Sequence, residues 1–141
     1  MALTLPSKPT LTLEAAKAIG AAAEAEAIRR GHANLSIAVV SDGGHLFYFA
    51  RQDKGEPVSA EIAVNKARAA AIYTKPTRHW NEVLTSGKSW ALAMPHAVAV
   101  GGGVPIRVGE HVVGGVGVAG ATGIADDEIA ALAAAIVAGT P

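Results

Sequence analysis

Lys66 is the residue of this 141-residue chain whose position most suggests chemistry. A helix is predicted from Ser59 to about Tyr73, and its rotation of about 100° per residue places Lys66 on the apolar side of that helix. A lysine in such a position must have its ammonium satisfied. Either the stem reaches past the core to water, or the ammonium meets an anion of the protein or of a ligand. A desolvated lysine amine can also act as a base or as a nucleophile.

Arg51 is the second candidate, because it ends a predicted strand next to a polar loop. Asp53 follows two residues later, a spacing at which the two side chains can form a surface ion pair across the loop. At a strand end, the guanidinium can instead hold a carboxylate of a ligand with two hydrogen bonds. The sequence leaves both interpretations open.

Histidine nitrogens are the potential metal ligands of this chain, but none of their spacings matches HxxxH or HxH. The five are His32, His45, His79, His96 and His111. His79 lies one helical turn before Glu82, a spacing that is compatible with metal ligation but more typical of a solvated helix face. His96 precedes the glycine run at 101–103 within an irregular stretch, so a ligand approaching those glycines would find an imidazole nearby. Chance placement of His96 is the alternative.

Two glycine-rich segments raise the question of phosphate binding. The first is GGGVP at 101–105, and the second is GVGVAG at 115–120, which matches the GxGxxG expression. That expression binds dinucleotides only where a strand ends in the glycines and a helix starts there. Here the second segment lies within or at the end of a strand of a predicted meander, so we do not predict a dinucleotide site. Its glycines are expected to admit a close neighbour, whereas Gly102 and Gly103 form either a ligand wall or a plain connection.

Periodicity and turn residues predict a three-layer α/β/α sandwich that forms a single domain over residues 1–141. Five mostly antiparallel strands would be covered on both faces by alanine-rich helices. The acidic residues at 126–128 are interpreted as favourable charges at the start of the last helix. The predicted helices are 12–30, 59–73, 77–85 and 124–138, and the predicted strands are 35–40, 45–51, 97–100, 105–108 and 111–119.

Composition excludes several classes of protein. The formal net charge is zero and the lysines and arginines are scattered, so the basic surface of a nucleic-acid-binding protein is not expected. The absence of cysteine excludes disulfides and thiolate metal sites. No apolar run reaches membrane-spanning length and no export signal is recognisable, so a cytoplasmic protein without membrane contact is expected.

Four segments together resemble one known family. They are LTLEAAKAI, AVVSDGGHLFYFARQD, EIAVNKARAAA and GGGVPIRVGEHVVGGVGVAG, which cover nearly the whole chain. The pattern is similar to that of the GlcG/HbpS family of haem-binding proteins, which includes the C-terminal domain of PduO-type corrinoid adenosyltransferases. The resemblance implies a profilin-like α/β/α fold, a homo-oligomer and the binding of haem or a related tetrapyrrole. The family motif matches Arg51, Asp53, Lys66, Gly102, Gly103, Pro105, Gly114, Gly117 and Gly120.

The residue types suggest which candidates would serve each of two possible functions. If haem binds, Arg51 and Lys66 are suited to its propionates, and His96 or His79 is the candidate ligand of its iron. The alternative is a cofactor-independent enzyme that acts on a small carboxylate. In that case Lys66 would be the base or Schiff-base amine, and Arg51 would hold the carboxylate.

Overall fold

The structure, a computed structural model, describes residues 1–137, and within them four antiparallel strands form one sheet in the order β2-β1-β4-β3. The helices are α1 (Leu13–Arg29), α2 (Pro57–Tyr73), α3 (Arg78–Thr85) and α4 (Gly123–Ala134), and the strands are β1 (Ser36–Ser41), β2 (Leu46–Arg51), β3 (Gly103–Val108) and β4 (His111–Ala119). Short 3-10 turns span Ser89–Ala93 and Ala135–Val137. The predicted end of the last helix, Ala138, lies outside the described residues. In the described part of the chain, no helix has both the length and the apolarity needed to cross a bilayer.

A capping residue and a proline determine where the first two helices begin. Thr12 caps α1 as predicted, since its side chain accepts a hydrogen bond of 3.1 Å from the amide of Ala15. α2 begins two residues before the predicted Ser59, because Pro57 has a fixed φ that suits the first helical position. The hydroxyl of Ser59 instead lies inside the first turn, 2.7 Å from the hydroxyl of Ser36 on β1.

The prediction of five strands was wrong, because residues 97–100 do not form a strand. The glycines that follow this segment do not reverse the chain into a hairpin. Instead, the carbonyl of Gly102 accepts a hydrogen bond of 2.9 Å from the amide of Val118, so the glycine run already extends β3 along β4. The 97–100 segment lies beside α3, where Asn81 donates a hydrogen bond of 3.1 Å to the carbonyl of Ala99.

Helices cover both faces of the sheet, so the structure has three layers. α1 and α4 pack on one face and against each other, and α2 packs on the other face. Because side chains alternate along a strand, Ile37 and Val39 of β1 face α1 and α4, whereas Ala38 and Val40 face α2. The α1/α4 side holds the large aliphatic side chains. The α2 side contains mainly alanines: Ala38, Ala63, Ala67, Ala71 and Ala119.

Glycines of the sheet bring α2 into direct backbone contact with the strands. A Cβ added at Gly117 would overlap the carbonyl oxygen of Ala63, and one added at Gly115 would overlap that of Ala67. Gly103 has the same relation to the carbonyl of Lys66. For Gly115 and Gly117, the expected close neighbour is therefore a helix of the same chain.

We expect Gly117→Ala to lower the free energy of unfolding by roughly 1–3 kcal/mol, because the new methyl group meets helix backbone, which cannot rotate away. Urea denaturation monitored by circular dichroism would measure the change. Gly43→Ala is the matched control, since its Cβ would meet side chains and no backbone, the nearest being that of His45 at 3.2 Å. Equal stability of the two variants would contradict this description of the α2 interface.

A buried carboxylate connects α1 with α4. Glu26 is only 6% exposed, and its carboxylate accepts hydrogen bonds from Arg29 at 2.6 Å and from Arg30 at 2.9 Å. Arg30 in turn donates to Glu128 of α4 at 2.9 Å. The hydrogen bonds from the two arginines lower the pKa of Glu26 from 4.5 to about 2.

The lowered pKa predicts a pH-dependent contribution of Glu26 to stability. A carboxyl whose pKa is lower in the folded state stabilises the fold above its unfolded pKa and loses that effect as the pH falls. We therefore expect wild type to be more stable than Glu26→Gln above pH 4.5 and the difference to shrink steadily toward pH 2. Urea denaturation at a series of pH values would measure it. A difference that is constant over this range would contradict the assignment.

Candidate functional site

Lys66 crosses the molecule from one outer layer toward the other. It belongs to α2, yet its ammonium donates a hydrogen bond of 2.9 Å to the carbonyl of Val118 at the end of β4. It also lies 3.1 Å from the carboxylate of Asp126, in α4 on the opposite face of the sheet. The side chain is 3% exposed. Of the possibilities raised by the sequence, the structure therefore shows a carboxylate of the protein beside a buried ammonium.

Asp126 is the partner that holds this ammonium. Its side chain is 2% exposed, and its second carboxylate oxygen accepts a hydrogen bond of 3.1 Å from the amide of Ala121. Burial raises the pKa of the Asp126 carboxyl above its ordinary value, and the nearby Lys66 ammonium opposes that rise.

The glycines at the start of β3 make room for Lys66. Gly102 has a φ of 131°, a conformation that side chains with a Cβ rarely adopt, and a Cβ there would lie 2.6 Å from the Lys66 nitrogen. Gly103 donates its amide to the hydroxyl of Thr77 at 2.9 Å, which anchors β3 to the start of α3. These two glycines therefore contact the predicted lysine, as neighbours within the fold.

A pocket of about 310 Å³ opens beside the ion pair, and we call it the Lys66 pocket. Its walls come from the start of α2, the end of β4, the start of α4 and the segment before β3. The lining residues are Asn34, Glu56, Val58, Ser59, Ile62, Lys66, Val100, Ala119, Gly120, Ala121, Gly123 and Asp126. The pocket thus combines a buried ammonium, carboxylates and aliphatic side chains.

Arg51 does not line this pocket. It borders a separate pocket of about 350 Å³ together with Glu24, Gln52 and Asp53. Within residues 1–137, neither Arg51 nor Asp53 has an ion-pair partner within 4.0 Å, so the local pair, one of the two interpretations left open by the sequence, does not form. The two cations proposed to hold one ligand therefore border different pockets of a single chain.

The two candidate iron ligands lie on different elements. His79 is half-buried in α3, with its ring edge-on to Trp80 at a centroid distance of 5.0 Å. His96 is exposed, has a φ of 62°, and lines a pocket of about 160 Å³ with Asn65 and Arg68 of α2. The hydroxyl of Tyr73 donates to the carbonyl of Pro95 and so fixes the chain next to His96. Across the described residues, His, Asp and Glu side chains form no group of three that could hold a metal ion.

Asp126 is the residue that sequence reasoning missed. It was interpreted as a charge at a helix start, but it lies on the buried face of α4 with Ile129, Ala130 and Ala133. That i, i+3, i+4, i+7 spacing was readable in the sequence, and the same argument had identified Lys66. Asp127, one residue further on, behaves as a surface charge and pairs with Arg78 at 3.0 Å.

Comparison with known proteins finds relatives of the same kind by sequence and by structure. Residues 11–135 match the family model described as haem degrading protein HbpS-like. Protein GlcG of Escherichia coli K12 is 37% identical over 114 residues, which are 81% of this chain and 84% of GlcG. A double mutant of HbpS from Streptomyces reticuli has a similar structure, with a TM-score of 0.85, 32% identity and coverage of 96% of this chain and 92% of that one. A PduOC:haem complex shares the fold at 23% identity, with a TM-score of 0.80 and coverage of 90% of this chain and 94% of that chain.

We expect Asp126→Asn to lower the free energy of unfolding by about 3–5 kcal/mol, because it leaves the Lys66 ammonium buried without a counter-charge. The asparagine keeps an oxygen for the amide of Ala121, so the variant isolates the effect of charge. Chemical denaturation would measure the loss. Asp127→Asn is the matched control, and its more exposed ion pair should contribute less than about 1 kcal/mol. Similar losses in both variants would contradict the distinction.

Proposed function

The chain belongs to the HbpS-like family, and from that premise we propose that it binds haem or a related tetrapyrrole in a homo-oligomer. The family model carries the description of a haem-degrading protein, and a relative in fold has been solved as a complex with haem. Both findings support haem-related binding as the function that the family makes most reasonable. The residues of this chain give the proposal its form.

The size of the pockets favours an open site. Small-molecule pockets that enclose their ligands usually have volumes of about 300–1,000 Å³. The pocket at His96 measures about 160 Å³, which cannot enclose a ring of four pyrroles. The Lys66 pocket is larger, but no histidine lines it. A tetrapyrrole would therefore lie partly on the surface of one chain, and a second copy would cover its other face.

The exposed imidazole of His96 is the observation that carries the proposal. The preceding 3-10 turn exposes two large apolar side chains, Trp90 at 52% and Leu92 at 70%. Apolar surface next to an imidazole suits a flat ring with a central metal, and an exposed apolar patch is typical of a binding surface. When bound, haem would supply an iron centre that an imidazole nitrogen can ligate. His96 would hold this iron, with His79 as the second candidate.

Cationic side chains are available for the propionates. Arg68 lines the same pocket as His96, and a guanidinium can hold a carboxylate with two hydrogen bonds. Arg51 is exposed and has no ion-pair partner within residues 1–137, so a propionate that reached across a subunit boundary could meet it. Lys66 is the weaker candidate because Val118 and Asp126 already engage its ammonium.

The alternative function is a cofactor-independent enzyme that acts on a small carboxylate. One observation favours it, namely that the buried amine of Lys66 lines a pocket. The carboxylate clamp assigned to Arg51 borders a different pocket, so one chain does not offer both groups to one substrate. Haem binding therefore has the broader support.

We expect haemin titrated into the purified protein to give a saturable Soret band. His96→Ala should weaken the binding or shift the band, because it removes the imidazole nitrogen that would hold the iron. His45→Ala is the matched control, since His45 is also exposed but lies in the β1–β2 turn. Light scattering should give a mass of at least twice the 14.2 kDa of one chain.

Each outcome of this experiment has a defined meaning. A protein that shows no saturable Soret band at micromolar concentration does not bind haem, and the proposal would be lost. Loss of binding in His79→Ala but not in His96→Ala would identify His79 as the ligand of the iron. A protein that stays monomeric with and without haemin would exclude the shared site.

A further inference from the structure

We propose that residues 1–5 of one copy of this chain add as a strand to the free edge of β2 in a second copy. The proposal names a contact between copies, so it rests on the homo-oligomer of the proposed function but needs no haem. Two features carry it. They are the arm formed by residues 1–10 and an apolar strand edge that the chain itself leaves open.

The arm makes almost no contact with its own chain. Residues 1–10 contain no helix or strand, and the side chains of Met1, Leu3 and Leu5 are 115%, 82% and 81% exposed. Within residues 1–137, no residue ahead of Lys8 hydrogen-bonds to the rest of the chain. Apolar side chains at such exposure gain free energy when another surface covers them. The arm is therefore suited to a protein partner rather than to solvent.

The sequence of the arm favours an extended strand. Its three large apolar side chains alternate with Ala2 and Thr4, so one face of an extended segment is apolar. Pro6 and Pro9 have a fixed φ and restrict the residues before them to extended conformations. An arm that is already extended loses less conformational entropy when it pairs with a strand.

The base of the arm is fixed beside the β1–β2 turn. Leu11 is buried, and the ammonium of Lys8 lies 2.7 Å from the carboxylate of Asp42 in that turn. Because the turn leads directly into β2, the arm leaves the body of the protein at one end of the β2 edge. A twofold axis beside this edge would let each of two copies reach the β2 of the other.

The edge of β2 offers both backbone groups and apolar surface. Within the described residues β2 pairs only with β1, so its other side has unpaired N–H and C=O groups. Phe49 lies opposite Ala38 and so faces the α2 side, and Phe47 lies on the same face two residues earlier. Both rings are 38% exposed, because α2 packs mainly on the other three strands. Leu3 and Leu5 of an added strand would cover them.

The opposite edge of the sheet is protected. β3 carries Pro105, which has no N–H to donate, and the guanidinium of Arg107 turns to the carbonyl of Thr74. The 3-10 turn at Ala135–Val137 also packs on β3. Within residues 1–137, β2 is thus the edge that is open to another strand.

A second copy of the chain is the partner that fits. Five extended residues span about 17 Å at about 3.3 Å each, which suits the six residues of β2. The arm does not lie on its own β2, since its leucines are exposed and that edge is unpaired. Exchange of arms between two copies would cover both features at once, and addition of a strand to an exposed edge is a common mode of recognition.

The test is disulfide trapping between two variants of the full chain, which has no cysteine of its own. Leu3→Cys is mixed with Phe47→Cys or with Phe49→Cys under oxidising conditions, and one partner is ¹⁵N-labelled so that mass spectrometry identifies the mixed dimer. Side chains that lie opposite each other on paired strands have Cβ atoms about 4.5–5.5 Å apart, close enough for a disulfide after a small movement. We expect a mixed dimer with at least one of the two β2 variants. Arg107→Cys, on the β3 edge, is the matched control and should give none.

The other outcomes of the trapping experiment would overturn the proposal. One is the absence of a mixed dimer with both β2 variants, whether or not Arg107→Cys gives one. Another is a disulfide that forms only within single molecules of the Leu3→Cys/Phe49→Cys double variant, which would place the arm on its own chain.

The Leu3→Glu/Leu5→Glu variant tests whether the arm contributes to association. We expect self-association at least about tenfold weaker than in wild type, because two buried leucines would become charged. Analytical ultracentrifugation would measure it, and circular dichroism would verify the fold. Ile28→Glu/Ile124→Glu is the matched control, with side chains 61% and 77% exposed in other parts of the chain, and it should associate as wild type does. Unchanged association of the arm variant would contradict the exchange.

This proposal and the proposed function can fail separately. An oligomeric wild type whose arm variant keeps full association would overturn the arm exchange alone. A wild type that stays monomeric would overturn both the homo-oligomer and the exchange. A trapped mixed dimer in a protein that gives no Soret band with haemin would retain the exchange and overturn haem binding.

Discussion

The short distance between α2 and the sheet is the constraint on which the other features depend. Alanines on the helix and glycines on β3 and β4 replace a layer of side chains with contact between backbones. Glycine is costly in a strand, by roughly 0.5–1 kcal/mol relative to alanine, so the close contact must offset that cost. Because α2 lies so near the strands, a side chain that starts on it can extend past the end of the sheet.

Lys66 uses that proximity to connect the two outer layers. Burying an ammonium and a carboxylate removes both from water, and the attraction between them repays that loss only when their geometry and hydrogen bonds are good. In this protein, the carbonyl of Val118 and the amide of Ala121 complete the hydrogen bonding of the pair. An aliphatic pair of similar volume would often be as stable as such an ion pair. The presence of this ion pair is therefore better explained by the pocket that it lines than by a gain in stability.

Sequence reasoning succeeded where the physics is local. The Thr12 cap, the β1–β2 turn and the place of Lys66 on the apolar side of α2 follow from side-chain type and periodicity over one element, and the structure contains them. The predicted cap at Ser59 was wrong, because α2 already begins at Pro57. Sequence reasoning failed where the outcome depends on distant partners. The alternation at 97–100 suited a strand, but Gly102 was already paired with β4. Sequence analysis assigned Arg51 and Lys66 to one ligand because both are cations suited to a carboxylate, and only the packing of the elements shows that they border different pockets. Asp126 was identifiable in principle, because the periodicity of its own helix places it inside.

The strand order has a consequence for how the chain reaches this structure. β1 pairs with β2 and β3 pairs with β4 through short turns, so each hairpin can form from neighbouring residues. The centre of the sheet joins the two hairpins through β1 and β4, where Ser36 lies opposite Ala119. Bringing such distant segments together costs loop-closure entropy before any contact is gained, and topologies of this kind fold slowly. We therefore expect the union of the two hairpins to limit the folding rate, and the ion pair across the end of the sheet to form only once that union is complete.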